Sequence, residues 1–592
     1  MSVAAQVLGR GGFHNFKCAG RAVDPRVKSG QPSAGVERIH SGFRSFGTPL
    51  GYNAGAMDRA KRENPATGGG EASAMHNAAA HFVDRHPHEG RGGKIAIIDD
   101  AGAYSYDELA ERVNRAGNAL KNLEIGPGER VMLAMLDGID LAAAFWGAIK
   151  IGAIPVPVNT MLAAEDYDYL LRDSAARALI VSAALLPRIE PALAGAARPP
   201  IAIVSGGVRI SGAHQFDELT KSADARLAAV PRHPDDIAFW LYSSGSTGKP
   251  KAVMHRGRAL LPTAVLYAER VLGIGGGDVC FSASKMFFAY GLGNAMTFPL
   301  HAGATAALMA ERPTPDAVMR VLRTHQPTIF YGVPTLYAGI LAHAANSRAN
   351  GSARLRVCTS AGEALPAAVA ERWRERFGVE ILDGIGSTEA LHIFITNRSG
   401  DVRRGSTGRP VAGYEVELRD EAGGAMSGAA IGDLWVRGES IGAGYWNKPE
   451  ATAMTFAGGW LRTGDKYRRD EDGYYHFAGR ADDMLKVGGI WVSPFEVENA
   501  LIAHPEVLEA AVVGGADADR LIKPKAFVVL KDRSRASSAV AEELKEFVKG
   551  RLAPYKYPRW IEFRDELPRT ATGKLKRYEL AREAETAGEK RR

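Results

Sequence analysis

Two spacings of apolar residues alternate through the early part of the chain. Leu109, Val113, Ala116 and Leu120 recur three or four positions apart, which predicts a helix with one buried stripe. Ser105-Tyr-Asp-Glu108 sets a capping box at its start. Val131 to Met135 is a short apolar run and predicts a strand. Leu141, Phe145 and Ile149 mark a second helix, and Ile154 to Val158 a second strand. Repetition of this unit predicts α/β layers with largely parallel strands, continuing over residues 73–481 as a large N-terminal domain.

Near residue 482 the pattern changes. Ser493-Pro-Phe-Glu496 reads as another capping box, with Pro494 suited to a first helical turn, and Val497, Ala500 and Leu501 give that helix an apolar face. Strands are expected at Ala510–Val513 and Ala526–Leu530, and a helix around Leu544, Phe547, Val548 and Leu552. Residues 482–592 therefore form a small α+β unit, of a size that suits a mobile lid.

At 592 residues the chain needs at least two cores. Its 46% hydrophobic and 24% charged content is ordinary for a globular protein. The longest apolar stretch, Leu141 to Val158, is interrupted by Lys150 and two prolines, so no membrane span is expected. Cys18, Cys280 and Cys358 are too scattered for a disulfide framework, and a reducing cytoplasm fits. The formal charge of +7 invites a nucleic-acid reading. Residues 1–72, however, hold ten Lys/Arg against five Asp/Glu, so most of that surplus lies outside the folded part, and no nucleic-acid partner is expected. This leader has no sustained period. It reads as disordered, as a transit peptide, or as an extension upstream of a true start at Met57 or Met75, the reading preferred here.

The most telling segment is Tyr242-Ser-Ser-Gly-Ser-Thr-Gly-Lys-Pro-Lys-Ala252, which follows the buried-strand run Ile237 to Leu241. Glycines let the backbone wrap an anion, while amides, hydroxyls and a lysine supply donors and charge. Ser243, Ser244, Gly245, Ser246, Thr247, Gly248 and Lys249 thus form a candidate phosphate cradle. It is not a Walker A loop, because Ser243 stands where that loop has Gly and Pro250 follows the lysine.

Four further segments follow in order: Ser360-Ala-Gly-Glu-Ala364; Gly386-Ser-Thr-Glu389; Trp460-Leu-Arg-Thr-Gly-Asp465 with Gly479-Arg-Ala-Asp482; and Pro568-Arg-Thr-Ala-Thr-Gly-Lys574. Together they resemble the adenylate-forming superfamily of acyl- and aryl-CoA synthetases, luciferases and peptide-synthetase adenylation domains. The resemblance runs from about Met75 to about Leu580. It implies that ATP activates a carboxylate as an acyl-AMP, and that coenzyme A then takes the acyl group.

By that resemblance, Lys574 bridges carboxylate and α-phosphate, Glu389 is the magnesium-associated carboxylate, and Thr388 beside it meets a phosphate oxygen. Gly362, Glu363 and Ala364 flank adenine, Asp465 holds the ribose hydroxyls, and Arg480 adds a ribose or phosphate contact. Asp482 is the hinge of a rotating lid, and Gly488 and Gly489 line the pantetheine channel. Ile385 departs from the tyrosine that the family often stacks on adenine, and Ala252 replaces a more usual Gly. Because coenzyme A brings its own sulfur, no protein thiol nucleophile is required.

Phe287-Phe-Ala-Tyr-Gly-Leu-Gly-Asn294 and Gly384-Ile-Gly-Ser-Thr-Glu-Ala-Leu-His-Ile-Phe394 resemble benzoate–CoA ligases. The resemblance implies an acyl pocket walled by Phe288, Ala289, Tyr290, Gly384, Ile385, His392 and Ile393. Aromatic and aliphatic faces suit a flat ring, which favours benzoate. Tyr290 or His392 could instead bind a ring substituent, which leaves 4-hydroxybenzoate and 2-aminobenzoate as alternatives. The expected partners are a small aromatic acid, ATP and coenzyme A, handled by a monomer or homodimer. A peptide-synthetase module needs a carrier domain, for which the eighteen residues after Lys574 leave no room. The benzoate-ligase-like pocket segments disfavour a luciferase-like oxygenase. A nucleotide-binding regulator without turnover would need a damaged set, whereas Thr388, Glu389, Asp465 and Lys574 are all in place.

Overall fold

A computed structural model describes residues 77–195, 198–243, 249–480, 483–487, 490–517, 521–569 and 575–589. They lie in one compact unit, Glu71–Arg592. The expected leader at 1–72 falls outside them, as do 244–248, Asp482, Gly488, Gly489 and Lys574.

Alternating helices and strands fold as their periodicity requires. Tyr106–Asn122 is a helix whose capping box is formed: Ser105 Oγ accepts from Glu108 N at 3.2 Å, and Glu108 Oε2 accepts from Ser105 N at 2.7 Å. The next helix, Ile139–Lys150, is buried all round, including Lys150, whose Nζ meets Asp84 at 2.5 Å and Asn114 at 2.6 Å. A fully buried ammonium survives only with such partners.

Among the described residues, five parallel strands run in the order Ile154–Pro157, Arg130–Ala134, Ala178–Ser182, Ile201–Ser205, His214–Gln215. A nine-stranded sheet holds the parallel core Ile95–Ile98, Thr305–Ala307, Val279–Ser282, Ile329–Gly332, Val357–Ser360 and Ile381–Gly386. Antiparallel strands close its two edges. The run at Ile237 extends to Ser243 and pairs antiparallel with Lys251–Arg256 as a hairpin. The expectation of largely parallel strands fails between residues 415 and 480. There Glu415–Arg419, Ala430–Arg437, Trp460–Arg469 and Tyr475–Arg480 form an antiparallel sheet. The five residues 470–474 join the last two of these strands, a connection too short for any but antiparallel pairing.

Toward the C-terminus, Val507–Ala516, Ile522–Leu530 and Trp560–Phe563 make a three-stranded sheet carrying the helices Pro494–Ile502 and Ser538–Lys549. Its core contains Val497, Leu501, Leu544 and Val548, while Phe547 is half-buried and Leu552 lies beyond the helix end. The second expected capping box is only half made. Ser493 Oγ accepts from Glu496 N at 3.1 Å, but the Glu496 carboxylate turns to Lys556 Nζ at 2.6–2.7 Å. A full charge opposite draws the carboxylate more strongly than a backbone amide does. Ile502 touches both this core and the core around Trp373.

Candidate active site

Parallel register assembles the site. Ser282 is aligned with Tyr331, Gly332 with Ser360, and Ser360 with Asp383. The carboxyl ends of four neighbouring strands therefore share one edge, where open α/β sheets bind ligands. The chain leaving three of the four carries a motif from the sequence: 287–294 after Val279–Ser282, 361–364 after Val357–Ser360, and 387–389 after Ile381–Gly386. Segments up to a hundred residues apart thus become neighbours.

At one end of this edge stands the proposed aryl wall. Phe288 caps the helical turn Ala289–Leu292, bringing Ala289 and Tyr290 in with it. Gly384 and Ile385 lie on Ile381–Gly386, paired antiparallel with the strand that starts at Ile393. A Cβ at Gly384 would stand 3.1 Å from the Ile393 side chain, so glycine there lets the two strands close. His392 is buried, and its ring lies 5.6 Å from that of Tyr290, 5.2 Å from Tyr267 and 4.4 Å from Phe298. Desolvation lowers its pKa to about 3, so the ring is neutral at physiological pH. Its Nε2 lies 3.2 Å from the Asn294 side-chain amide. Tyr290 Oη meets Thr359 Oγ1 at 2.6 Å.

Residues to which the sequence reading gave no role complete this wall. Tyr267 and Asn294 reach His392 from two π-helical segments, Ala264–Glu269 and Gly293–Thr297. Such widened turns re-aim side chains and have no pattern in a single sequence. Thr359 and Asp383 are buried at strand ends. Burial pushes the Asp383 carboxyl well above the usual range, and its Oδ1 has no hydrogen-bond partner among the described residues. Asn294 closes a segment singled out in the sequence, yet nothing local marked it as a partner for His392.

Just beyond Gly386, Thr388 and Glu389 sit in a turn rather than opening a helix, with Ala390 N donating to Ser387 Oγ at 3.1 Å. Residues 442–446 thread between this turn and the hairpin strand Lys251–Arg256. Gly442 N donates to Glu389 O at 2.8 Å, Ala443 N to Met254 O at 2.8 Å, and Trp446 N to Ala252 O at 2.9 Å. A Cβ on Gly442 would fall 2.8 Å from Val253 Cγ1, so the approach requires glycine. Tyr445 Oη donates to Glu389 Oε1 at 2.8 Å, and Lys251 Nζ lies 4.5 Å from the Tyr445 ring.

Ser243 is buried at the base of the cradle, and Lys249 is exposed over the Tyr169 ring at 5.1 Å. The remainder of the cradle, 244–248, lies outside the described residues. Asp465 and Arg480 are register partners on neighbouring strands, with Nη1 3.0 Å from Oδ1. Gly464, beside Asp465, holds a φ of 76°, a conformation open to glycine. Gly362 turns with a φ of 89° ahead of half-buried Glu363 and Ala364. Cys280 and Cys358 are buried, their thiols pushed up to about 12, which makes both poor nucleophiles.

Two family descriptions cover these elements: AMP-binding enzyme over residues 84–446, and AMP-binding enzyme C-terminal domain over 496–574. The chain belongs to the AMP-binding enzyme family. Among its relatives in this family is a benzoate–CoA ligase of Thauera aromatica, 56% identical over 85% of this chain and 95% of that one. A 4-hydroxybenzoate–CoA/benzoate–CoA ligase of Rhodopseudomonas palustris is 48% identical over 87% of this chain and 95% of its own. The crystal structure of a benzoate CoA ligase from Burkholderia xenovorans LB400 superposes with a TM-score of 0.80 at 52% identity, covering 86% of this chain and all of that one. The fold of this AMP-binding enzyme is thus that of an aryl-CoA ligase. Among the described residues no helix is long and apolar enough to cross a membrane.

Proposed function

We propose that the chain is an ATP-dependent aryl-acid–CoA ligase that takes benzoate. The observation that carries the choice of acid is the state of the wall's two polar side chains. Tyr290 Oη is already engaged by Thr359, and His392 Nε2 by Asn294. Both groups that could recognise a ring hydroxyl or amine are committed within the protein, which leaves aromatic and aliphatic faces toward an unsubstituted ring. 4-Hydroxybenzoate and 2-aminobenzoate are the second choices, since a ring substituent that displaced either contact would find a hydrogen-bonding partner in Tyr290 or His392.

In the first step the carboxylate oxygen attacks the α-phosphorus of ATP, the bond to the β-phosphate oxygen breaks, and pyrophosphate leaves with its electron pair. Lys574 and Lys249 offset the charge of the two approaching anions, while Ser243 through Gly248 supply phosphate donors. Asp465, set by Arg480, accepts the ribose hydroxyls. Glu389 presents a hard oxygen ligand oriented by Tyr445, a donor that suits magnesium shared with nucleotide phosphates. When bound, the ion supplies neutralising charge at those phosphates. In the second step the thiol of coenzyme A gives its proton to water and attacks the acyl carbon, the bond from that carbon to the phosphate oxygen breaks, and AMP leaves with its electron pair. Residues 482–592 turn about Asp482 between the steps, withdrawing Lys574 and bringing Gly488-Gly489 to the thiol channel.

The test is a pyrophosphate-release screen over benzoate, its hydroxy and amino derivatives, and medium-chain fatty acids. Benzoate should give the highest kcat/KM, and preference for a fatty acid or silence with every aromatic acid would refute the proposal.

A further inference from the structure

We propose that Arg569 is a positioning residue that docks the chain flanking Lys574 on Glu363 and so favours the pose in which the acid is adenylated. The inference rests on the ligase reading above and deepens it. Arg569 Nη1 lies 3.8 Å from Glu363 Oε1, and its Nη2 lies 3.0 Å from Glu509 Oε2. Glu509 belongs to the strand Val507–Ala516 of the C-terminal sheet, whereas Glu363 follows the strand Val357–Ser360 of the large sheet. The one guanidinium therefore spans the two layers that the proposed rotation must separate.

Its place in the chain gives the contact leverage. Arg569 pairs antiparallel with Leu575, and Lys576 N donates to Pro568 O at 2.9 Å. These bonds set Arg569 and Leu575, which flank residues 570–574 in the chain, side by side. Whatever holds Arg569 therefore also holds Leu575, the residue next to Lys574 in the chain. Arg577, fixed by Glu498 and 3.4 Å from Asp483, adds a second positive charge that acts on Glu363.

The surroundings suit a contact that forms and breaks. Ile502 supplies apolar contact to the core around Trp373, but Lys531 faces Arg372 as a like charge. Arg569, Glu363 and Glu509 are each about one-quarter exposed, at 28%, 25% and 28%. Ion pairs at such exposure are individually weak. Glu509 moves with Arg569, so rotation parts the guanidinium from Glu363 but not from Glu509. That asymmetry makes release cheap while still biasing the docked pose.

The two half-reactions separate the proposal from a general structural role. Arg569→Gln should slow pyrophosphate release from ATP and benzoate by about twofold to fivefold, the range for a partly exposed pair. Thioester formation from supplied benzoyl-AMP and coenzyme A should stay within about twofold on the same grounds. Arg569→Lys should recover most of the loss, and added salt should slow wild-type adenylation more than that of Arg569→Gln. Glu509→Gln, which leaves Glu363 as a partner, should adenylate at least as fast as wild type. Equal slowing of both half-reactions, unchanged pyrophosphate release in Arg569→Gln, or a matching loss in Glu509→Gln would overturn the docking role. Wild-type protein that released no pyrophosphate with any aromatic acid would instead strike the ligase reading itself.

Discussion

The hydroxyl of Tyr445 donates to Glu389 Oε1 at 2.8 Å, joining a residue of the 442–446 crossing segment to the carboxylate expected to meet magnesium. Burial and the neighbouring carboxylate push the Tyr445 pKa up, so the phenol stays protonated and serves as a donor throughout the working pH range. Its removal leaves Glu389 free to rotate. Tyr445→Phe should raise the magnesium concentration for half-maximal adenylation by about tenfold, as loss of a ligand-orienting hydrogen bond does elsewhere. Manganese binding followed by electron paramagnetic resonance should weaken in parallel, and unchanged affinity with a slower rate would argue against this role.

Gly293 makes room for the His392 ring. A Cβ there would lie 2.5 Å from His392 Cδ2 and 3.0 Å from Phe298 Cζ. Gly293→Ala should cost about 1–3 kcal/mol of stability as overpacking. It should also raise the KM for benzoate more than that for ATP or coenzyme A, because the displaced ring belongs to the acyl wall. Equal KM changes for all three substrates would place the effect elsewhere.

Opposite effects are expected from two variants in the C-terminal part. Lys574→Ala should nearly abolish benzoyl-AMP formation while thioester formation from supplied benzoyl-AMP proceeds. Gly489→Leu should spare pyrophosphate release and stop coenzyme A turnover. Single-turnover assays of each half-reaction decide the matter, and equal loss in both assays would contradict a rotating lid.

Acid should weaken the fold through buried neutral histidines. Desolvation lowers His255 and His392 to about 3, and His86 to about 4, with Arg85 and Arg91 adding to the shift at His86. In the unfolded chain each titrates near 6.5, so the unfolded state takes up protons that the folded state refuses. Their contribution to stability is complete above pH ~6.5 and is lost as pH falls from there toward about 3–4. Thermal unfolding at pH 7, 6, 5 and 4 should show His255→Asn losing less stability than wild type across that range. Parallel curves would show that His255 titrates normally.

The segments expected to build the site could be picked out before the fold was known, and the reason is local. The Thr388-Glu389 turn and the Asp465 strand rest on short segments whose glycines and hydroxyls encode backbone shape within a few residues, whereas 244–248 of the expected cradle lie outside the described residues. The Ser105 capping box formed as written, since its partners sit three residues apart. The box at Ser493 did not close, because Lys556, sixty residues on, took the Glu496 carboxylate. Tyr445, Asn294, Thr359 and Tyr267 were missed for the same reason in reverse. Each matters through a residue far along the chain, and two of them depend on π-turns that leave no periodic trace.

From its order of residues alone, this chain revealed alternating layers, an ordered set of nucleotide-handling motifs and an aromatic-rimmed segment suited to a flat acid. Those properties arise from short-range spacing, burial periodicity and side-chain chemistry. Tertiary structure decided which groups meet: the parallel register that aligns four strand ends, the antiparallel sheet that presents Asp465 to Arg480, and the partners that occupy Tyr290 and His392. Such pairings are set by packing across the whole molecule, where one carboxylate or hydroxyl chooses among several distant partners and the lowest free energy of the assembled core selects one.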